Sequence, residues 1–260
     1  MSNTPKKPYG TVLIKADQIL AVLSNSQDPL PMSDIAQRAE LTLSTTSKIL
    51  DTLILLGYVR RDSTGKRFAL GAGILQLATS AFMHFDIVRE SYPALKHLHE
   101  YFDETVHLGL FQDNQIIYVN KIVSSSKDHQ TLSKIGNTQP LYCSAMGKAL
   151  LSTLDEHKQA QYYDSIELIQ RTEQTITNLD ELKEQVQTAS QLGYAIDDRE
   201  SEEDVFCVGA AIVNPIDRNY YAFSISLPYN QINDEKVKEL IAGVMRTKAI
   251  IEFHLESNAS

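Results

Sequence analysis

The spacing of apolar side chains predicts a compact helical segment followed by a hairpin at the start of the chain. Apolar residues recur at helical spacing over 13–24, 33–39 and 44–56. A loop is expected over 26–31, and Ser33 is the expected N-cap of the second helix. Gly57 is expected to end the third helix. Two short segments, 58–61 and 67–70, predict strands joined by a polar turn over 62–66. This order of elements is typical of a winged helix-turn-helix domain.

The pattern after the hairpin predicts a longer, mixed region. An apolar helical stretch over 72–83 and a second helix over 87–102 come first. Strands are then expected at 104–111, 115–122, 130–135, 194–197, 204–214 and 220–227, and helices at 144–154, 156–165, 180–192 and 232–255. Helices interleaved with antiparallel hairpins indicate an α+β domain. The expected organisation is a winged helix-turn-helix over 1–71, a linker helix over 72–86 and an α+β domain over 87–260.

Charge is distributed unevenly between these parts. Residues 1–80 carry a formal charge of +3 and the remaining 180 residues carry −12, which gives the chain its net −9. A basic small domain joined to an acidic larger one fits a DNA-binding head on a ligand-binding body. No apolar run approaches the roughly 18 residues of a membrane helix, and no secretory signal begins the chain. With only two cysteines, neither in a metal-binding spacing, the expected location is the reducing cytoplasm.

The third predicted helix and the hairpin carry the candidate DNA-binding residues. In a helix-turn-helix, the second helix of the pair enters the major groove, so its outward face has to be small, polar and partly basic. Hydroxyl groups contact phosphates or base edges, and basic side chains neutralise phosphates. The same residues would also fit helix capping and an ordinary solvated surface. The candidates are Ser44, Thr45, Ser47 and Lys48 on the helix and Arg60, Arg61, Lys66 and Arg67 on the hairpin.

Several of these segments resemble the IclR family of bacterial transcriptional regulators. In the head the similar stretches are SDIA at 33–36, LSTTSKIL at 43–50, LGYV at 56–59 and FALG at 68–71. In the body they are ETVHL at 104–108, PLYCSAMGKAL at 140–150 and GYAIDD at 193–198. The family usually has Arg where this chain has Lys48, a change that keeps the charge and loses the bidentate fork. The resemblance spans about residues 10 to 250 and implies a GAF-like effector domain.

A ligand site in the body is implied by the same resemblance. Carried over from the family, it comprises Ala145, Met146, Asp197, Cys207, Ser224 and Ser226. The last expected strand places Ser224 and Ser226 on one small, hydroxylic face, which would equally fit close packing of a helix. The corner before the 144–154 helix offers backbone N–H groups to an anion, so a small carboxylate of the keto-acid or sugar-acid kind is expected. Asp197 is expected to bond a ligand hydroxyl or a backbone group.

The function expected from these observations is effector-controlled, sequence-specific binding to a double-stranded DNA operator, with repression favoured over activation. None of the local signatures of nucleophilic, nucleotide-dependent or zinc-dependent catalysis is present, so no enzyme activity, cofactor or metal is expected. A homodimer is expected, because a winged helix covers one half-site, and the family resemblance implies a homodimer or a homotetramer. The competing function is a small-molecule-binding or enzymatic module whose head binds proteins.

Overall fold

The computed structural model describes residues 9–83, 86–125, 133–215 and 217–259. The chain divides into two compact units, Met1–Phe85 and Asp86–Ser260. Across the described ranges, every helix is too short or too polar to cross a lipid bilayer.

The first unit contains the helices and the hairpin predicted for the head. Its helices are α1 (Thr11–Ser24), α2 (Met32–Arg38), α3 (Leu43–Leu55) and α4 (Gly73–Met83), and its strands are β1 (Leu30–Pro31), β2 (Val59–Arg61) and β3 (Arg67–Leu70). The strands form an antiparallel sheet in the order β1-β3-β2. Apolar side chains from α1, α2 and α3 pack with Val59 and Phe68 of the hairpin into one core. The order and pairing are those of a winged helix-turn-helix.

Two local predictions in this unit are wrong. Ser33 lies inside α2 and bonds to Asp34, while Pro31, in extended conformation, is the N-cap residue. The segment 30–31, predicted as loop, pairs with β3 as the short strand β1. By contrast, the end of α3 follows the prediction, because Gly57 adopts a left-handed φ of 74° there.

The second unit is an α+β domain built on a curled antiparallel sheet. The strands are β4 (Thr105–Gln112), β5 (Gln115–Ile122), β6 (Thr138–Pro140), β7 (Ala195–Asp198), β8 (Val205–Val213) and β9 (Tyr220–Pro228). The helices are α5 (Asp86–Phe102), α6 (Ala145–Leu151), α7 (Glu156–Ser165), α8 (Leu179–Leu192) and α9 (Asp234–Ala259). The order across the sheet is β6-β5-β4-β9-β8-β7, and all neighbours run antiparallel. The strand predicted at 130–135 lies partly outside the described residues, and residues 133–135 are not in a strand.

Glycines let the start of α6 approach its neighbours closely. A Cβ on Gly147 would lie 2.3 Å from the backbone of Leu141, and a Cβ on Gly209 of β8 would lie 2.9 Å from Met146 N. Because real Cβ atoms do not come so near, larger residues at either position would push the helix away from the sheet. Ser144 caps α6 by accepting a hydrogen bond from Gly147 N. The first turn of α6 is thereby held directly against the sheet.

Candidate functional site

The outward face of α3 carries the helix residues expected to meet DNA. The buried face of α3 consists of Thr46, Ile49, Leu50 and Leu53. The opposite face holds Ser44 and Lys48, both exposed. Thr45 and Ser47 are half-buried at the two edges of that face. The N-cap is Thr42, whose hydroxyl accepts from Thr45 N and donates to the Thr45 hydroxyl. The face is small and polar, which fits close approach to base edges and phosphates.

The four basic residues of the hairpin fall into two groups. Arg67 donates to the carbonyl of Pro29 at 3.0 Å, and Arg61 donates to Gly65 O and to the Asp51 carboxylate. Arg60 and Lys66 are exposed, and their side chains form no ion pair with any residue that the structure describes. Two of the predicted cations therefore point freely into solvent, and two are held by the protein.

In the second unit, the six residues expected to bind a ligand all line one cavity. It lies between the sheet and the start of α6, and is also bounded by the loop after β7. Ser224, Ser226 and Cys207 come from the central strands, Ala145 and Met146 from the first turn of α6, and Asp197 from β7. The remaining lining residues are His107, Tyr118, Ser133, Gln139, Ser144, Ser201, Glu202 and Val205. The free volume is about 20 Å³, room for about one water molecule.

A chain of polar contacts crosses the sheet side of the cavity. His107 Nε2 lies 2.7 Å from the Ser133 hydroxyl, and its Nδ1 lies 3.4 Å from the Ser226 hydroxyl. Ser226 Oγ in turn lies 3.1 Å from Cys207 Sγ. Burial, together with the smaller effect of the positive charge on Lys121, lowers the pKa of His107 to about 3. This wall is therefore electrically neutral at pH 7, and it can both donate and accept hydrogen bonds.

Asp197 is buried, and its carboxylate bonds to its own loop. Oδ1 accepts from the backbone N–H of Glu200 at 2.7 Å, and Oδ2 accepts from the Ser201 hydroxyl at 2.6 Å. Burial raises the pKa of Asp197 to about 6, although these hydrogen bonds favour the ionised form. The sequence predicts that Asp197 bonds either a ligand hydroxyl or a backbone group, and the structure shows a bond to a backbone group. The carboxylate shapes the loop and places a negative charge at the cavity.

A buried ion pair anchors the same loop to α6. Lys148 contacts Glu200, with both side chains almost fully buried, and it also donates to Gln185 at 2.6 Å. The Thr175 hydroxyl donates to the Glu200 carbonyl at 2.7 Å. The second carboxylate oxygen of Glu200 has no described partner. Burial raises the pKa of Glu200 to about 7, against the lowering effect of Lys148.

The charged groups in the cavity lining are acidic, and by themselves they disfavour an anionic ligand. Two carboxyl groups, Asp197 and Glu202, are among the lining residues, and the part of the lining that the structure describes holds no Lys or Arg. Donors to an anion are available instead as hydroxyls and as the N–H groups of Ala145 and Met146, which bond to no described residue. The arrangement suits a ligand with a small anionic end and several hydrogen-bonding groups.

Sequence reasoning missed more than half of this lining. His107 and Tyr118 lie on strands that were predicted, but only the pairing of β4 with β9 and β5 brings His107 beside Ser226 and Tyr118 beside His107. Ser201, Glu202 and Val205 follow Asp197 closely along the chain, so proximity in sequence was an available signal. For Ser133 and Gln139, no sequence pattern indicated a place in the cavity.

Two family models match the chain. The model of the bacterial transcriptional regulator IclR C-terminal domain matches residues 79–251, and the model of the IclR helix-turn-helix domain matches residues 12–63. The first alone covers more than half of the chain and includes every residue that lines the cavity.

Characterised proteins and a solved structure are similar over nearly the whole length. The HTH-type transcriptional regulator KdgR of Escherichia coli is 28% identical over 230 residues, covering 88% of this chain and 87% of that protein. The transcriptional repressor IclR of Escherichia coli is 27% identical over 245 residues, covering 94% and 88%. An IclR homologue from Microbacterium hydrocarbonoxydans, crystallised with 4-hydroxybenzoate, superposes with a TM-score of 0.81 at 18% identity, covering 95% of this chain and 99% of that one. The two relatives from Escherichia coli are named as a transcriptional regulator and a transcriptional repressor.

Proposed function

Since the chain belongs to the IclR family of bacterial transcriptional regulators, we propose that it is a cytoplasmic repressor whose affinity for operator DNA is lowered by a small organic acid or sugar acid. Residues 1–71 would bind DNA, 72–86 would form the linker and 87–260 would bind the effector. The observation that carries the proposal is the convergence of six residues on one cavity of the second unit. A relative of this chain is a named repressor, which favours repression over activation.

The DNA-binding surface would combine the outward face of α3 with the hairpin. Ser44, Thr45 and Ser47 would contact phosphates or base edges, and Lys48 would supply a positive charge without a bidentate fork. The hairpin cations Arg60, Arg61, Lys66 and Arg67 would follow the DNA backbone. Affinity for any duplex should then fall steeply with added salt, because each neutralised phosphate releases counterions.

The effector would bind with its carboxylate near the start of α6 and its hydroxyl or carbonyl groups on the sheet. The N–H groups of Ala145 and Met146 lack described partners, and Ser224 and Ser226 offer hydroxyls on the facing strand. Because the free volume is about 20 Å³, such a ligand has to displace side chains as it enters. Met146, with its flexible thioether, is the lining residue best suited to move. Bound 4-hydroxybenzoate in a relative with the same fold is a precedent for an acid ligand.

The test is a titration of small acids into the protein–DNA complex. Random duplexes are first enriched for binding, and then glyoxylate, pyruvate, gluconate and 4-hydroxybenzoate are titrated while the complex is followed by fluorescence anisotropy. We expect at least one acid to release the DNA. Replacing both cavity serines, Ser224→Ala with Ser226→Ala, should raise the required concentration roughly 5- to 150-fold, since each hydrogen bond contributes about 0.5–1.5 kcal/mol. DNA affinity without the acid should stay within about twofold.

The matched control is Ser91→Ala, which removes a serine hydroxyl that is equally buried but lies on α5, bonded to the Ile87 carbonyl. If the double variant releases DNA at the same acid concentration as the wild type, Ser224 and Ser226 are excluded from the effector site. The competing function, a ligand-binding or enzymatic module with a protein-binding head, predicts no salt-dependent affinity for DNA. Retained DNA binding that no acid of the panel affects would contradict an organic-acid effector.

A further inference from the structure

A groove runs between α3 and the hairpin in the first unit. Met32, Leu50 and Phe68 supply its apolar surface, Ser47 and Asp51 line it from the helix, and Arg61, Gly65 and Lys66 line it from the hairpin. Three of these residues, Ser47, Arg61 and Lys66, have the chemistry of phosphate ligands. Asp51 does not, because a carboxylate on a surface that meets DNA repels the backbone.

Asp51 shares the DNA-facing side of α3. It follows Lys48 by three positions and Ser44 by seven, so all three side chains project from one face of the helix. Its side chain is 64% exposed. Considered as an isolated charge, Asp51 should weaken binding to every DNA sequence.

The contacts of Asp51 give it a different role. Its Oδ1 accepts from Arg61 Nη2 at 3.3 Å, while Arg61 Nη1 donates to the Gly65 carbonyl at 3.1 Å. The Arg61 guanidinium also lies over the Phe68 ring, 4.9 Å from its centroid. The hairpin arginine is thus held from three directions, by α3, by the turn and by its own sheet.

These contacts leave the Arg61 guanidinium with N–H groups that can still donate to a phosphate. A guanidinium has five N–H groups, and the contacts above use two of them. The side chain remains 47% exposed at the groove. An arginine fixed before binding loses less conformational freedom when it takes a phosphate, since its fork is already oriented.

We propose that Asp51 is a positioning residue for DNA binding, which holds Arg61 so that the free N–H groups of its guanidinium take a backbone phosphate in the groove beside Ser47 and Lys66. This inference rests on the proposed function of the first unit. A simple electrostatic account predicts that DNA affinity rises when the charge of Asp51 is removed, and this proposal predicts the opposite. Removing the negative charge of Asp51 should weaken DNA binding.

The experiment measures affinity for a 30-base-pair duplex of arbitrary sequence, as a function of salt, for full-length wild type, Asp51→Asn, Arg61→Met and the double variant. We expect Asp51→Asn to bind about 1.4-fold to fivefold more weakly per protomer, the range of coupling for an exposed ion pair. In the Arg61→Met background the same change should weaken binding no further. Arg61→Met should reduce the slope of log affinity against log salt by about one per protomer.

Two further variants separate positioning from charge. Asp17→Asn on α1 removes the same charge from an exposed residue without a described partner, and it should leave affinity equal or slightly higher. Asp51→Glu, which keeps a carboxylate near Arg61, should retain most of the wild-type affinity. Asp51→Asn binding as tightly as Asp17→Asn would overturn the proposal, and so would an equal loss in both Arg61 backgrounds. A wild type without salt-dependent affinity would contradict the proposed DNA-binding function itself, which is a separate result.

Discussion

At the scale of single residues, Asp197 places a buried negative charge at the cavity. Its carboxylate is buried, its acceptors are occupied by Glu200 N and Ser201, and its pKa is raised to about 6. It is therefore mostly ionised at pH 7, beside the place where a ligand carboxylate is proposed. Neutral His107 offers no compensating charge, because burial keeps its pKa near 3. Binding of an acid thus has to overcome a like charge.

We expect acid binding to tighten as the pH falls. Asp197 loses its charge as the pH drops through about 6, so the repulsion disappears and the dissociation constant of a fully ionised acid should decrease between pH 8 and pH 5.5. At most, binding coupled to uptake of one proton changes affinity tenfold per pH unit. Calorimetric titration of the acid found in the release assay, at several pH values, measures this.

Asp197→Asn should flatten that pH profile. Glu200 titrates nearby, with a pKa raised to about 7, and Glu202 also lines the cavity, so Glu200→Gln is the matched control. The control should retain the dependence that centres near pH 6. A profile unchanged by Asp197→Asn would assign the proton to another group.

At the scale of elements, α6 and the loop after β7 act as one structure because Lys148 and Glu200 are paired inside the protein. The raised pKa of Glu200 means that the folded protein binds its proton more tightly than the unfolded chain. The contribution of Glu200 to the free energy of unfolding is therefore complete below about pH 4.5, and it is lost as the pH rises through about 7. Lys148 limits this loss by compensating the charge of the ionised form.

Lys148→Met should destabilise the second unit most at alkaline pH. Without the ammonium, an ionised Glu200 is left buried and unpaired, a change that typically costs about 3–5 kcal/mol. At pH 5 the carboxyl is protonated and the loss should be much smaller. Urea unfolding followed by circular dichroism at pH 5 and pH 8 measures the difference, and Lys148→Met with Glu200→Met should recover most of it. An equal loss at both pH values would indicate that Lys148 acts through packing.

Elements with a strong apolar period could be predicted from the sequence, and short edge strands could not. The pattern indicated α8 and β9 to within one residue of the bounds that the structure has. β6, a three-residue strand ending in Pro140, has too few residues to show alternation, and it forms because β5 offers an edge. The same limit applies to predicting which residues line the cavity. Ser224 and Ser226 share a strand, whereas the proximity of His107 depends on a register that only the folded sheet fixes.

At the scale of the whole molecule, α4 has more apolar surface than its own unit covers. Leu75 and Leu77 are 67% and 55% exposed. They lie about 200° apart around the helix axis, so a partner has to contact α4 on two sides to cover both. α1 adds exposed Val12 and Leu13 in the same unit. Exposed apolar surface of this kind is typical of association sites, and we propose that it is buried in a homodimer of this chain.

We expect the wild type to be a dimer, or a tetramer built from two dimers, at micromolar concentration, because two heads are needed to read the two half-sites of an operator. Leu75→Asp and Leu77→Asp should each shift the protein towards monomer, since a charge would be buried without a partner in the interface. Gln76→Asp, which places the same charge at an exposed polar position between them, should leave the association unchanged.

Light scattering over a concentration series measures all four proteins. A monomeric wild type at low salt would contradict the dimer, whereas equal weakening by Gln76→Asp would assign the effect to the charge of the helix. If association and DNA affinity are lost together in the Leu75 and Leu77 variants while acid binding persists, the dimer serves the head, as the position of α4 in the first unit implies.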